Sequence, residues 1–209
     1  YDLFIKNKKN TVWPRGLPLD EIFKNKIKIS NKKKFTKFYL QQGVSEVNPD
    51  LDAIYRLANN KINIKFKNLK INMGNSLFTF NSQNTIWHKD LFPLMYLPVT
   101  CSMRCTDIWR GLIALKIIRF NKLKVLFFGT TMLQIRNSHD LMQDFKDEIP
   151  MYIYNKKIFK ILNKLKLKRG KKFFIYNLKK CYEELIKYKI FAPQEMRFLN
   201  AWISDCKKM

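Results

Sequence analysis

Short apolar runs alternate with polar turns over the first two thirds of this chain, and from about residue 138 apolar residues recur at three- and four-residue spacing. FTKFYLQQG (35–43) has the aromatic content of a buried strand, ended by Gly43. KINIKFK (61–67) alternates apolar and basic residues and predicts a strand with one wet face, or an edge. SLFTFNSQNTIW (76–87) reads as strand, polar kink, strand, and KVLFFGTTM (124–132) as a buried strand. Residues 107–121 predict a helix opened by Asp107 behind Thr106, and 89–99 a shorter apolar helix stopped by Pro98. NPDLDAIYRL (48–57) reads as a proline-started turn, and 22–34 as a helix end and a basic loop. Four further helices, 138–147, 151–166, 173–190 and 193–206, are separated by Pro150, Gly170 and Pro193. This order predicts an α/β fold: a mixed sheet with flanking helices, then a helical C-terminal region. Strands 35–42, 77–87 and 124–130 should share one sheet, with the 107–121 helix packed on it through Gly111 and Ala114.

Charge alters this picture less than its size suggests. The 209 residues carry a formal charge of +25, but arginine contributes only at positions 15, 56, 104, 110, 119, 136, 169 and 197. Asn, Ile, Phe, Tyr and Lys all have A/T-rich codons, so base bias accounts for the lysine content without a polyanion partner. No specific nucleic-acid role is therefore assigned, although a charge-driven binder is one rival reading. Lysine is absent from 38–60, 71–88, 90–115, 125–145 and 190–206, and chemistry is sought in those blocks. Tyr1 in place of Met predicts a longer parent chain, and no targeting or membrane-spanning segment is visible; the apolar stretch Leu91 to Met103 is short and holds two prolines. Cys101, Cys105, Cys181 and Cys206 lack metal-type spacing and read as free thiols.

Several blocks hold candidate chemistry. TVWPRGLPLDEI (11–22) forms a stiff strap, in which Pro14 and Pro18 hold Trp13 and Arg15 in set directions. On a helix from Asp107, residues 107, 110, 111 and 114 share a face, so Asp107 and Arg110 project from its start. A carboxylate there can accept a sugar hydroxyl's proton, and an arginine can pair with phosphate; the same aspartate is also good helix-capping chemistry. Asn81, Ser82 and Asn84 interrupt two apolar runs and can hydrogen-bond a polyhydroxyl ligand or one another. Trp87 and Trp109 are candidate sugar platforms. Asp50 and Asp52 have the Asp-x-Asp spacing of a cation-binding pair, and equally that of turn residues. His139 lies between Arg136 and several acids, where helix capping and metal ligation both stay open.

Taken in order, WPRGLPLDEI, QQGVSEVNPDLDAIYRL, FTFNSQNTIWHKDLFPLMYLPVTCSMRCTDIWRG and IRNSHDLMQDFKDEIP resemble the STELLO-type glycosyltransferases. More distantly they resemble the plant reversibly glycosylated polypeptides, the UDP-arabinopyranose mutases. The resemblance implies the C-terminal half of a GT-A-like nucleotide-diphospho-sugar transferase. Residues 1–135 would be the acceptor-side half, without the nucleotide-binding half and its acidic cluster, and 136–209 a helical region. It implies a nucleotide-sugar donor, a glycan or protein acceptor, and a divalent cation (Mn or Mg) held mainly by residues outside this chain. Asp107 then becomes the catalytic candidate, as general base or acceptor anchor. Arg15, Asn81, Ser82, Asn84, Trp109, Arg110, Asp50 and Asp52 are the substrate-binding candidates, and His139 the metal candidate. Arg15, Asn81, Asn84 and Asp107 should line one concave surface. The resembling plant family is Golgi-resident. The alternative is a non-catalytic GT-A-like scaffold that helps assemble a polysaccharide-synthesising complex with other glycan-synthesis proteins.

Overall fold

The structure, a computed structural model, describes residue 5 and residues 11–23, 37–59, 64–72 and 78–208. The lysine-rich stretches 6–9, 24–36 and 61–63 lie outside the described residues. One mixed sheet contains β1 (Leu40–Glu46), β2 (Lys70–Asn72), β3 (Thr85–Trp87) and β4 (Val125–Leu133) in the order β2-β4-β1-β3. β1 and β4 run parallel from Leu40 beside Val125 to Glu46 beside Leu133, and β2 and β3 flank them antiparallel. The three strands expected in one sheet are there together.

Their bounds differ from the expectation. β1 begins at Leu40 and runs through Gly43, which is a point of close approach and not a stop: a Cβ there would lie 2.4 Å from the Asn84 side chain and 2.6 Å from the Phe128 ring. Of the 61–67 run, Phe66 makes a single antiparallel bridge to Ile5. Only the end of 77–87 is strand, because residues 78–81 pass under α2 without a ladder partner.

Five α-helices are described: α1 (Ala53–Ala58), α2 (Thr106–Phe120), α3 (Leu141–Lys164), α4 (Phe174–Lys187) and α5 (Glu195–Lys208). Asp52 caps α1 by accepting the Tyr55 amide at 2.7 Å, so the expected turn at 48–57 continues into a helix. The 89–99 helix is a 3-10 segment, Lys89–Met95, with Pro93 inside it. α3 crosses Pro150 unbroken. Proline removes one backbone donor, and the buried face of Asp144, Glu148, Met151, Asn155 and Ile158 holds the two halves in line. α2 is central: ten of its fifteen residues are buried, and it packs against α3, α4 and the 3-10 segment. Gly111 meets the Phe80 carbonyl in the lead-in to β3, which replaces the expected Gly111 contact with the strands themselves. One apolar cluster runs from Val12 through the sheet and α2 to Ile203.

Candidate functional site

The strap delivers Arg15 into the space between β1's exit and the start of α2. Gly16 takes a left-handed backbone (φ 85°), and a Cβ there would collide with Ile108. The Arg15 amide donates to the Asp50 carbonyl at 3.0 Å, and Thr79 Oγ1 donates to the Arg15 carbonyl at 2.9 Å. All three guanidinium nitrogens have partners. Nε donates to the Asp50 carboxylate at 2.9 and 3.1 Å, Nη2 to the Asp107 carboxylate at 3.0 and 2.9 Å, and Nη1 to the Arg104 carbonyl. Burial disfavours the Arg15 cation, but Asp50 and Asp107 outweigh it and hold the guanidinium protonated beyond its usual range. In return, and against its own burial, Asp50 is held below the ordinary aspartate range by Arg15.

The polar kink joins the same cluster. Asn81 Nδ2 donates to Asp50 Oδ2 at 2.7 Å, and the Ser82 amide donates to Asp107 Oδ2 at 3.1 Å. Arg110 Nη2 donates to Ser82 Oγ at 2.9 Å, and its guanidinium lies 4.9 Å from the Trp87 ring centre. Burial lowers the Arg110 pKa against the pull of Asp107. Four sequence segments therefore meet: the strap, the 48–52 turn, the 79–82 kink and the start of α2.

Several expectations are corrected by placement. Asp107 does not cap its own helix; its carboxylate serves Arg15 and Ser82. Asn84 turns towards β4, donating to Thr131 Oγ1 at 3.1 Å, so it borders the cluster without joining it. Asp52 is fully buried, accepts from Tyr55 and from Trp13 Nε1, and is out of a substrate's reach. Burial pushes its carboxyl up to about 6. Trp109 is a core residue, donating to Asn155 Oδ1 at 2.7 Å and packing on Phe191, which removes it as a sugar platform. His139 faces Asp144 at 3.4 Å, and among the described residues no three His, Cys, Asp or Glu side chains gather to hold a metal. The four cysteines are free thiols.

Other partners had no signal as single residues. Gln42, buried in β1, accepts the Asn81 amide at 3.1 Å and the Thr85 hydroxyl at 2.9 Å, and so fixes the kink. Its only trace in the sequence is a pair of glutamines in an apolar run. Glu148, also fully buried, accepts from Arg104, the Ala53 amide at 2.7 Å and the Tyr152 hydroxyl at 2.6 Å.

The sequence model of the family described as STELLO glycosyltransferases matches residues 104–209, beginning at Arg104 and taking in Asp107 and Arg110. The chain belongs to the STELLO glycosyltransferase family. It is 24% identical over 211 residues to an Arabidopsis thaliana protein named "Probable glycosyltransferase STELLO2", an alignment covering 94% of this chain and 26% of that protein. It is 30% identical over 115 residues to the same plant's "Probable glycosyltransferase STELLO1", covering 49% of this chain and 14% of that protein. The chain thus spans about a quarter of the length of the longer-matching family relative. Among the described residues, no helix is long and apolar enough to cross a membrane.

Proposed function

We propose that this chain is the acceptor-side half of a GT-A-like glycosyltransferase that moves a sugar from a nucleotide-diphosphate donor to a glycan or protein acceptor. The carrying observation is the Asp107 carboxylate, held by two Arg15 contacts and the Ser82 amide at the edge of an exposed turn. A carboxylate offers about four lone-pair sites. Three are occupied among the described residues, leaving one for an incoming hydroxyl. The arginine fixes the direction of the group, which suits an acceptor anchor that orients the attacking hydroxyl. Ser82 and Trp87, on the same side as Arg110, supply a hydroxyl and a half-buried ring for the sugar. Arg15 orients Asp107, with a protein partner on each of its three nitrogens. Asp50 and Asp107 are both committed to Arg15, so they do not fit a metal centre, and the divalent cation belongs with residues outside this chain.

Asp107→Asn in the intact protein tests the reading. The variant takes one charge from a buried pair, so it should melt several degrees lower, and under conditions where it is still folded it should lose on the order of 100-fold or more in sugar transfer. Turnover equal to wild type would leave Asp107 as a strut for Arg15 and nothing more.

A further inference from the structure

Outside the Arg15 cluster, three more arginines converge where the two parallel strands end. Arg56 lies in α1, just after β1; Arg136 lies in the connection after β4; Arg104 precedes α2. Asp144 on α3 ties two of them together, pairing with Arg136 and lying 3.7 Å from Arg104 Nε. Arg104 also pairs with Glu148. Arg56 donates Nη2 to the Pro49 carbonyl at 2.7 Å, and among the described residues it forms no ion pair. Burial lowers its pKa to about 10, and the next cause is the nearby charge of Arg136.

The acids here are already engaged. Glu148 gives one oxygen to Arg104 and the other to the Ala53 amide and the Tyr152 hydroxyl. Asp144 gives one oxygen to Arg136 and the other to His139 at 3.4 Å. Asp50, which also attracts Arg56, is spent on Arg15 and Asn81. Arg56 is thus left without a carboxylate partner among the described residues, and all three guanidiniums are partly exposed, Arg104 and Arg136 at 22% and 18% of their side chains. Open α/β sheets take ligands beyond the carboxyl ends of parallel strands, and guanidinium forks match phosphate geometry.

We propose that Arg56, Arg104 and Arg136 form an oxyanion site for a phosphoryl group beyond the carboxyl ends of β1 and β4. This deepens the transfer reading by giving the donor's diphosphate a cationic seat separate from Arg15 and Arg110. It rests on that reading only for the source of the phosphate, a nucleoside diphosphate.

Binding of pyrophosphate and of uridine diphosphate to the intact protein, by calorimetry, tests the site without requiring turnover. Arg56→Gln and Arg136→Gln should each weaken both ligands about ten-fold or more, the value of a lost charge-assisted contact. The readout is binding without turnover, so failure of the Asp107 assignment would leave it unmoved and the two failures are distinguishable. Arg56→Lys keeps the charge without the fork and serves if Arg56→Gln melts early; it should weaken binding less than Gln. Weakening of pyrophosphate alone would support the site with free phosphate as its source. Wild-type affinity in both Gln variants, or no binding of either probe by the wild type, would overturn it.

Discussion

At Asp52, burial and hydrogen bonding pull one carboxyl in opposite directions, and burial wins, raising it to about 6. An acid whose folded pKa lies above its unfolded value of about 4 binds its proton more tightly when folded. Its stabilising contribution is therefore fully present below about pH 4 and is lost as pH rises through 6. Asp52→Asn removes this titration. The stability difference, wild type minus variant, should grow by on the order of 2 kcal/mol between pH 7 and pH 4, read from urea melts at each pH. A difference that stays flat with pH would contradict the buried cap. The result is independent of Asp107, because the two aspartates answer to different elements: one caps α1 and the other faces Arg15.

At the scale of elements, α2 is the part that everything else is built around. Its glycine is a packing residue: a Cβ at Gly111 would stand 2.8 Å from the Phe80 carbonyl oxygen. Alanine is the better helix former by about 1 kcal/mol, yet backbone cannot retreat as a flexible side chain can. Gly111→Ala should therefore destabilise by about 1–3 kcal/mol in thermal or urea unfolding. It should also disturb Asn81 and Ser82, which follow Phe80 directly, so sugar transfer should fall more than stability alone explains. A variant more stable than wild type would mean that propensity had won and that the contact is soft. α3 teaches the same priority of packing over local preference, since it carries Pro150 in its interior and stays one helix.

Across the described residues, α5 is fastened back onto the segment before α2. Glu195 at the start of α5 is fully buried and accepts from the Tyr96 hydroxyl, the Val99 amide at 3.1 Å, and the Thr100 amide at 2.8 Å and hydroxyl. One carboxylate thereby fastens the C-terminal helix to the segment that leads into α2. Removing it leaves several buried donors unsatisfied at roughly 1–3 kcal/mol each. Glu195→Ala should cost at least about 3 kcal/mol and should open residues 190–208 to limited proteolysis before the sheet is cut. Even cleavage across the chain would show that α5 does not dock as a unit.

The periodicity of apolar residues was enough to determine the α/β class, the presence of three strands in one sheet and the long helix after Thr106, because those patterns reflect which faces must leave water. The parallel pairing of 40–46 with 125–133 was not among them. Motif order was enough to point to the family. The residue types of the site were legible too: Arg15, Asp50, Asn81, Ser82, Asp107 and Arg110 sit in lysine-free blocks, and all six do gather. Tertiary structure decided what each of them touches. Asp50 and Asp52 look alike in the chain, yet one binds Arg15 at the cluster and the other is sealed under α1, because the chain turns between them. Trp109 and Trp87 share a residue type, but only Trp87 stays half-exposed on an edge strand. The meeting of Arg56, Arg104 and Arg136 left no pattern in the sequence. Their separation along the chain is large, and only the parallel pairing of β1 and β4 brings the segments that carry them to one end of the sheet.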